Sequence, residues 1–169
     1  MKALTLALVL FLLLHSTADS YVLTGVKWDH TAITHGDSPE LARAIGLWAE
    51  VSGITDGGIS AHPDIISSIA KLPSNIGGYA GWASMGGIIT TCSIVVSDVY
   101  PTNMTVWVHE AGHCLGLDHS LDSHAIMFYN GGDRIGIQPD DVAAIQSIYG
   151  PKPAAPQPFR LILPMLAQT

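Results

Sequence analysis

The stretch His109-Glu110-Ala111-Gly112-His113-Cys114-Leu115-Gly116-Leu117-Asp118-His119, HEAGHCLGLDH, follows the apolar run Val106-Trp107-Val108. On an α-helix, residues four apart lie one turn above each other, so His109 and His113 share a face. A straight helix supplies only two ligands in this way. Gly116 stands three residues after His113, where a left-handed residue ends a helix and reverses the chain. His119 then returns to the same point. Three imidazoles suit zinc in tetrahedral coordination, and three protein ligands leave a fourth position open, as in a catalytic site. Cys114 points about 100° away from His113 and is not placed to ligate. Glu110 follows the first ligand and is poorly placed to join it. Its natural role is general base toward a water that the metal acidifies to a pKa of about 7, then proton donor to a leaving amine. That is peptide-bond hydrolysis without a covalent intermediate. HExxH alone is common by chance on surface helices; HExxHxxGxxH is far rarer.

Outward from this stretch, Thr102 or Asn103 is expected to cap the motif's helix, which ends near Gly116. Upstream, Ser38-Pro39 starts a helix over 39–51, with Leu41, Ile45, Trp48 and Val51 at helical spacing. Downstream, Gln138-Pro139-Asp140-Asp141 starts a third helix that stops at Gly150-Pro151. Strands are expected at 32–35, 64–70 and 78–84, the last as an edge. The β-branched run IITTCSIVV (88–96) is the best strand in the chain. Residues 53–62, with Asp56-Gly57-Gly58 at their centre, read as a turn region.

The 169-residue chain opens MKALTLALVLFLLLHSTADS. Lys2, the apolar run 3–14, and small Ala18 and Ser20 read as a secretory signal peptide, residues 1–20, cut before Tyr21. A retained membrane anchor is the alternative, but the run is shorter than the ~20 residues a span needs. Seven basic residues less Lys2, and fourteen acidic residues less Asp19, leave a net charge of −7 on residues 21–169. No basic cluster suggests nucleic-acid binding. Residues 151–169, PKPAAPQPFRLILPMLAQT, read as a Pro-rich linker and a short apolar tail, packed on the domain or serving as a sorting or anchoring signal.

HEAGHCLGLDHS resembles the zinc motif of the metzincin clan of metallopeptidases, with Ser120 in the matrixin form. Met127, in Ala125-Ile126-Met127, resembles the Met-turn that lies under the zinc ligands. IQPDDVAAIQSIYG (137–150) and YVLTGVKW (21–28) resemble the last helix and the mature start of matrix metalloproteinase catalytic domains. The resemblance covers residues 21–150, strongest from 107 to 150. It implies an α+β, zincin-like fold, with a twisted, mostly parallel five-stranded sheet and three helices. The implied activity is that of a secreted, extracellular zinc endopeptidase holding one catalytic zinc on His109, His113 and His119. Glu110 is the implied base, with Met127 and Gly116 in support. A protein or peptide substrate would lie extended along the edge strand 78–84 of a monomer. Thr105, Val106 and the loop after Met127 would line its specificity pocket. In the family, the strand carrying Cys92 packs near the helix carrying Cys114, which makes a disulfide between them plausible; the alternative is two buried thiols acting as small apolar groups.

Several features depart from the family. No PRCGxPD-like segment precedes Tyr21, so the enzyme is expected to emerge without a zymogen stage. Its new α-amino group would pair with Asp140 or Asp141, or both acids would simply be solvated at a helix start. His62 and Asp64 form HxD, but the other histidines of the second zinc site are missing, so His30, His35, His62 and His124 are expected to be exposed or locally bonded. Calcium at Asp56 or Asp98 is possible but unsupported. Tyr129, two residues after Met127, matches the astacin and serralysin arrangement, where its hydroxyl reaches the zinc or the oxyanion; otherwise it is a pocket wall. The alternatives to a matrixin-like protease are another metzincin family, an inactive zinc-binding interaction module, and an inhibitor-like partner.

Overall fold

A computed structural model of the protein describes residues 20–130 and 136–155. Residues 1–19, 131–135 and 156–169, on which most of the expected signal peptide and tail fall, lie outside the described residues. Five strands form one sheet: β1 (Ala32–His35), β2 (Thr55–Ile59), β3 (Ile65–Ala70), β4 (Gly78–Met85) and β5 (Ile88–Ser97), in the order β2-β1-β3-β5-β4. Three helices accompany them: α1 (Pro39–Val51), α2 (Met104–Cys114) and α3 (Pro139–Tyr149). All pairings are parallel except β4 with β5. No described helix is long and apolar enough to cross a membrane.

The elements form for local reasons. Ser38 caps α1 by accepting from the Leu41 N–H, and Pro39 opens the helix. Asn103, not Thr102, caps α2 through the Thr105 N–H. In β5, Cys92, Ile94 and Val96 are buried and face the helices, while Ser93 and Val95 point the other way. Helix α1 lies on β1 and β2, and α2 lies on β4 and β5. Their seam is filled by Trp48, Trp107, Ile33, Ile65, Leu41 and Ile45, all buried.

One expectation needs correction. Residues 53–62 are not simply a turn region, because Thr55–Ile59 pairs with β1 as an edge strand. Its TDGGI composition favours turns; the ladder to Ala32–His35 overrides it, since strand propensity is weak against cross-strand pairing. Strand β4 also runs one residue beyond 84, to Met85. Gly86 and Gly87, both at positive φ, then turn the chain into β5.

Candidate active site

Helix α2 is buried on one side by Trp107, Val108 and Ala111, and carries His109 and Glu110 at its cleft-facing edge. His109 and Glu110 are only 7% and 6% exposed, whereas His119 lies open on the rim. The ring nitrogens of His109, His113 and His119 all lie within 4.8 Å of one another. Among the described residues, no other group of three or more His, Cys, Asp or Glu converges in this way.

Hydrogen bonds aim these rings. His109 Nδ1 lies 2.7 Å from the Ile126 carbonyl, and His113 Nδ1 lies 2.9 Å from the Leu117 carbonyl. A carbonyl only accepts, so both Nδ1 atoms carry the proton and both Nε2 lone pairs are free. Those two Nε2 atoms are 3.2 Å apart. Two nitrogens at ~2.0–2.1 Å from one tetrahedral zinc would be separated by about 3.3–3.4 Å. The donor set and its spacing therefore fit a zinc ion. Burial, with the neighbouring rings of His113 and His119, holds His109 down at about 4. Burial also lowers His113, so both rings are neutral and ready to ligate near pH 7. Glu110 is pushed up to about 7 by burial.

Beneath the rings, Ile126 and Met127 form a tight turn, and Met127 is 2% exposed. The turn is fastened by Asp141, which accepts from the backbone N–H groups of Ile126 (2.8 Å), Met127 (3.1 Å) and Gln138 (2.8 Å). The Ser120 N–H donates to the Met127 carbonyl at 2.8 Å, closing the loop between His119 and the turn. Asp141 is thus engaged within the site rather than with the amino terminus. Asp140 meets that region instead, accepting from the Ser20 N–H at 3.1 Å and the Ser120 hydroxyl at 2.6 Å.

A cleft of about 1020 Å³ opens over the histidines and Glu110. Thr105, Val106 and Tyr129 all line it. Tyr129 is two-thirds exposed, with its ring against Phe128 at 4.6 Å between centroids. The lining also takes in the start of β4 with the loop before it, including Ile76 and Tyr79, and Tyr100 from the turn between β5 and α2, none of which stood out in the sequence. A Cβ on Gly78 would come within 3.0 Å of Val106 and 3.1 Å of Cγ of Glu110, so β4 crosses α2 against the stem of that side chain. The Gly77-Gly78 pair ahead of a strand was the available signal of that close approach.

Cys92 and Cys114 are joined in a disulfide with a Cα–Cα distance of 5.7 Å, tying β5 to α2 beside His113. The remaining histidines lie apart from the cluster. His30 pairs with Asp29 and Asp64, buried His35 with Asp56, and His124 with Asp122, while His62 is exposed.

Comparison with known proteins agrees with this geometry. A family model described as Matrixin matches residues 95–150. Stromelysin-1 of Equus caballus is 48% identical over 58 residues, covering 31% of this chain and 12% of the relative. Matrix metalloproteinase-16 of Homo sapiens is 28% identical over 189 residues, covering 86% of this chain and 31% of the relative. Metalloendoproteinase 5-MMP of Arabidopsis thaliana is 34% identical over 122 residues, covering 70% and 29%. The chain spans less than a third of the length of each of these relatives. Five mostly parallel strands, three helices and a histidine cluster built from the middle helix and the turn after it, with the family match running over both and the last helix, make the chain a matrixin catalytic-domain-like protein.

Proposed function

We propose that the protein is a secreted, monomeric zinc endopeptidase. Residues 1–20 act as its export signal, 21–150 as its catalytic domain, and 151–169 as a linker and tail. The convergence of the His109, His113 and His119 nitrogens beside Glu110 carries this reading. His109, His113 and His119 would hold a zinc ion, which would supply Lewis acidity toward a water and the scissile carbonyl. The chain's own residues do the rest. His109 and His113 present their Nε2 lone pairs because the Ile126 and Leu117 carbonyls hold their other nitrogens. Glu110 sits at the cleft wall with its ionisation near neutrality, so it takes the proton of the attacking water and returns it to the leaving amine. Strand β4 offers its free edge to an extended peptide, and Thr105, Val106 and Tyr129 face the side chain beyond the cut. Among the described residues, the cleft lining apart from Glu110 and the histidines is uncharged.

The test uses the purified chain and Glu110→Ala, with bound zinc and casein cleavage both measured. One zinc per chain in both proteins, with cleavage only in the unmutated one and lost on chelation, is the expected result. Zinc in both and cleavage in neither would replace this reading with a zinc-binding interaction module. A Tyr129→Phe variant with unchanged kcat would assign Tyr129 to the pocket wall; a loss in kcat alone would assign its hydroxyl to the transition state.

A further inference from the structure

The carboxyl end of α2 must stop abruptly for His119 to come back to His109 and His113. The first part of that stop is local. The Leu117 N–H bonds to the Gly112 carbonyl at 3.1 Å and the Gly116 N–H to the His113 carbonyl at 3.0 Å, with Gly116 at φ +94. This is a Schellman turn, and it satisfies the carbonyls of residues 112 and 113. It leaves those of Cys114, Leu115 and Gly116 without helical partners, in residues that are all buried. Buried carbonyls in that position need donors from elsewhere.

The donors come from the two ends of the domain. Trp28 Nε1 donates to the Cys114 carbonyl at 2.9 Å. The Tyr149 hydroxyl donates to the Leu115 carbonyl at 3.0 Å and accepts from the Trp28 N–H at 3.2 Å. The Thr24 N–H donates to the Gly116 carbonyl at 3.0 Å. A Cβ on Gly116 would collide with the Val26 carbonyl, so the amino-terminal strap lies directly against the turn. The next carbonyl, that of Leu117, holds Nδ1 of His113. The turn therefore orients one member of the cluster and carries another two residues on.

We infer that Trp28 and Tyr149 are positioning residues for the metal site, a hydrogen-bonded pair that fixes the end of α2 so that His113 and His119 converge. The inference rests on the proposed zinc reading. It separates the phenol's hydroxyl from the phenol's bulk, since Tyr149→Phe keeps the ring and removes only the hydroxyl, as donor to Leu115 and acceptor from Trp28. Ile145→Val, a buried change on the same helix in a side chain that carries no hydrogen-bonding group, serves as the stability control.

The experiment measures zinc affinity by chelator competition and the ligand-field spectrum of the cobalt-substituted full chain. Tyr149→Phe is expected to weaken zinc about tenfold and to shift the cobalt spectrum in the direction that His119→Ala shifts it. Ile145→Val should lower Tm while leaving both readouts at the wild-type values. Wild-type zinc affinity in a folded Tyr149→Phe, or an equal loss in Ile145→Val, overturns the inference and leaves the zinc reading standing. A wild-type chain that binds no zinc overturns both. Should Tyr149→Phe not fold, Trp28→Phe removes the indole donor to Cys114 and is judged by the same two outcomes.

Discussion

A Cβ on Gly112 would meet the Met127 sulfur and come within 3.0 Å of the Trp48 ring. Gly112→Ala is therefore expected to force α2 off the Met127 turn and to destabilise the protein by about 1–3 kcal/mol, read as a fall in Tm. Asp141 is a second constraint of this size. Burial pushes its carboxyl up against the pull of three backbone donors. Asparagine keeps the shape but replaces an accepting oxygen with an NH2 facing those N–H groups. Asp141→Asn should cost about 2 kcal/mol or more, seen as a lower urea midpoint, because a buried charge-assisted bond is worth ~1.5–3 kcal/mol. The sequence identified Asp141 as important for a different reason. Its position at a helix start was legible; its partners, the N–H groups of Ile126 and Met127 fifteen residues away or nearly so, were not.

Among the elements, α2 is bound to the sheet by the Cys92–Cys114 bridge, which spans 22 residues of sequence. In the loop-entropy picture, a closed loop of that length stabilises by about 3 kcal/mol. Cys92→Ala with Cys114→Ala should lower the guanidinium midpoint by about that amount, while reductant should have little effect on the native protein because both sulfurs are buried. The helices were legible as elements since each carries its own start and stop: Ser38-Pro39, Asn103, Gln138-Pro139 and Gly150 act over a few residues. Strand β2 was not, because Thr55–Ile59 owes its conformation to β1 rather than to its own residues.

Over the whole molecule, the histidine cluster sets an acid limit on the metal-free fold. His109 is held down at about 4 and His113 is also lowered, from an ordinary value of 6.5. Below 6.5 the unfolded chain takes up protons that the folded one refuses, so stability rises with pH through that window and is lost as pH falls toward about 4. Glu110, pushed up to about 7 by burial, works in the opposite direction over the same range, so the test uses chelator-stripped Glu110→Gln, which should show a lower Tm at pH 5 than at pH 7. Zinc added at pH 7 should raise Tm by an amount that grows with the logarithm of its concentration over its Kd, as for any ligand that binds only the folded state. A metal-free Glu110→Gln whose Tm is flat between pH 7 and pH 5 would show that the rings are not held neutral by burial.

The sequence by itself determined the chemistry that α2 can offer. Helical spacing puts His109 and His113 on one face, Gly116 permits the reversal, and Glu110 sets a carboxylate next to the first of them; these are short-range rules of backbone geometry. The tertiary structure decided how that offer is held. Order β2-β1-β3-β5-β4 brings Gly77-Gly78 over Glu110, Asp141 under the Met127 turn, and Trp28 and Tyr149 to the end of α2. Each of these contacts joins residues far apart in the chain. Nothing in local propensity encodes such a meeting, which arises only when burial of the common core brings the elements into register.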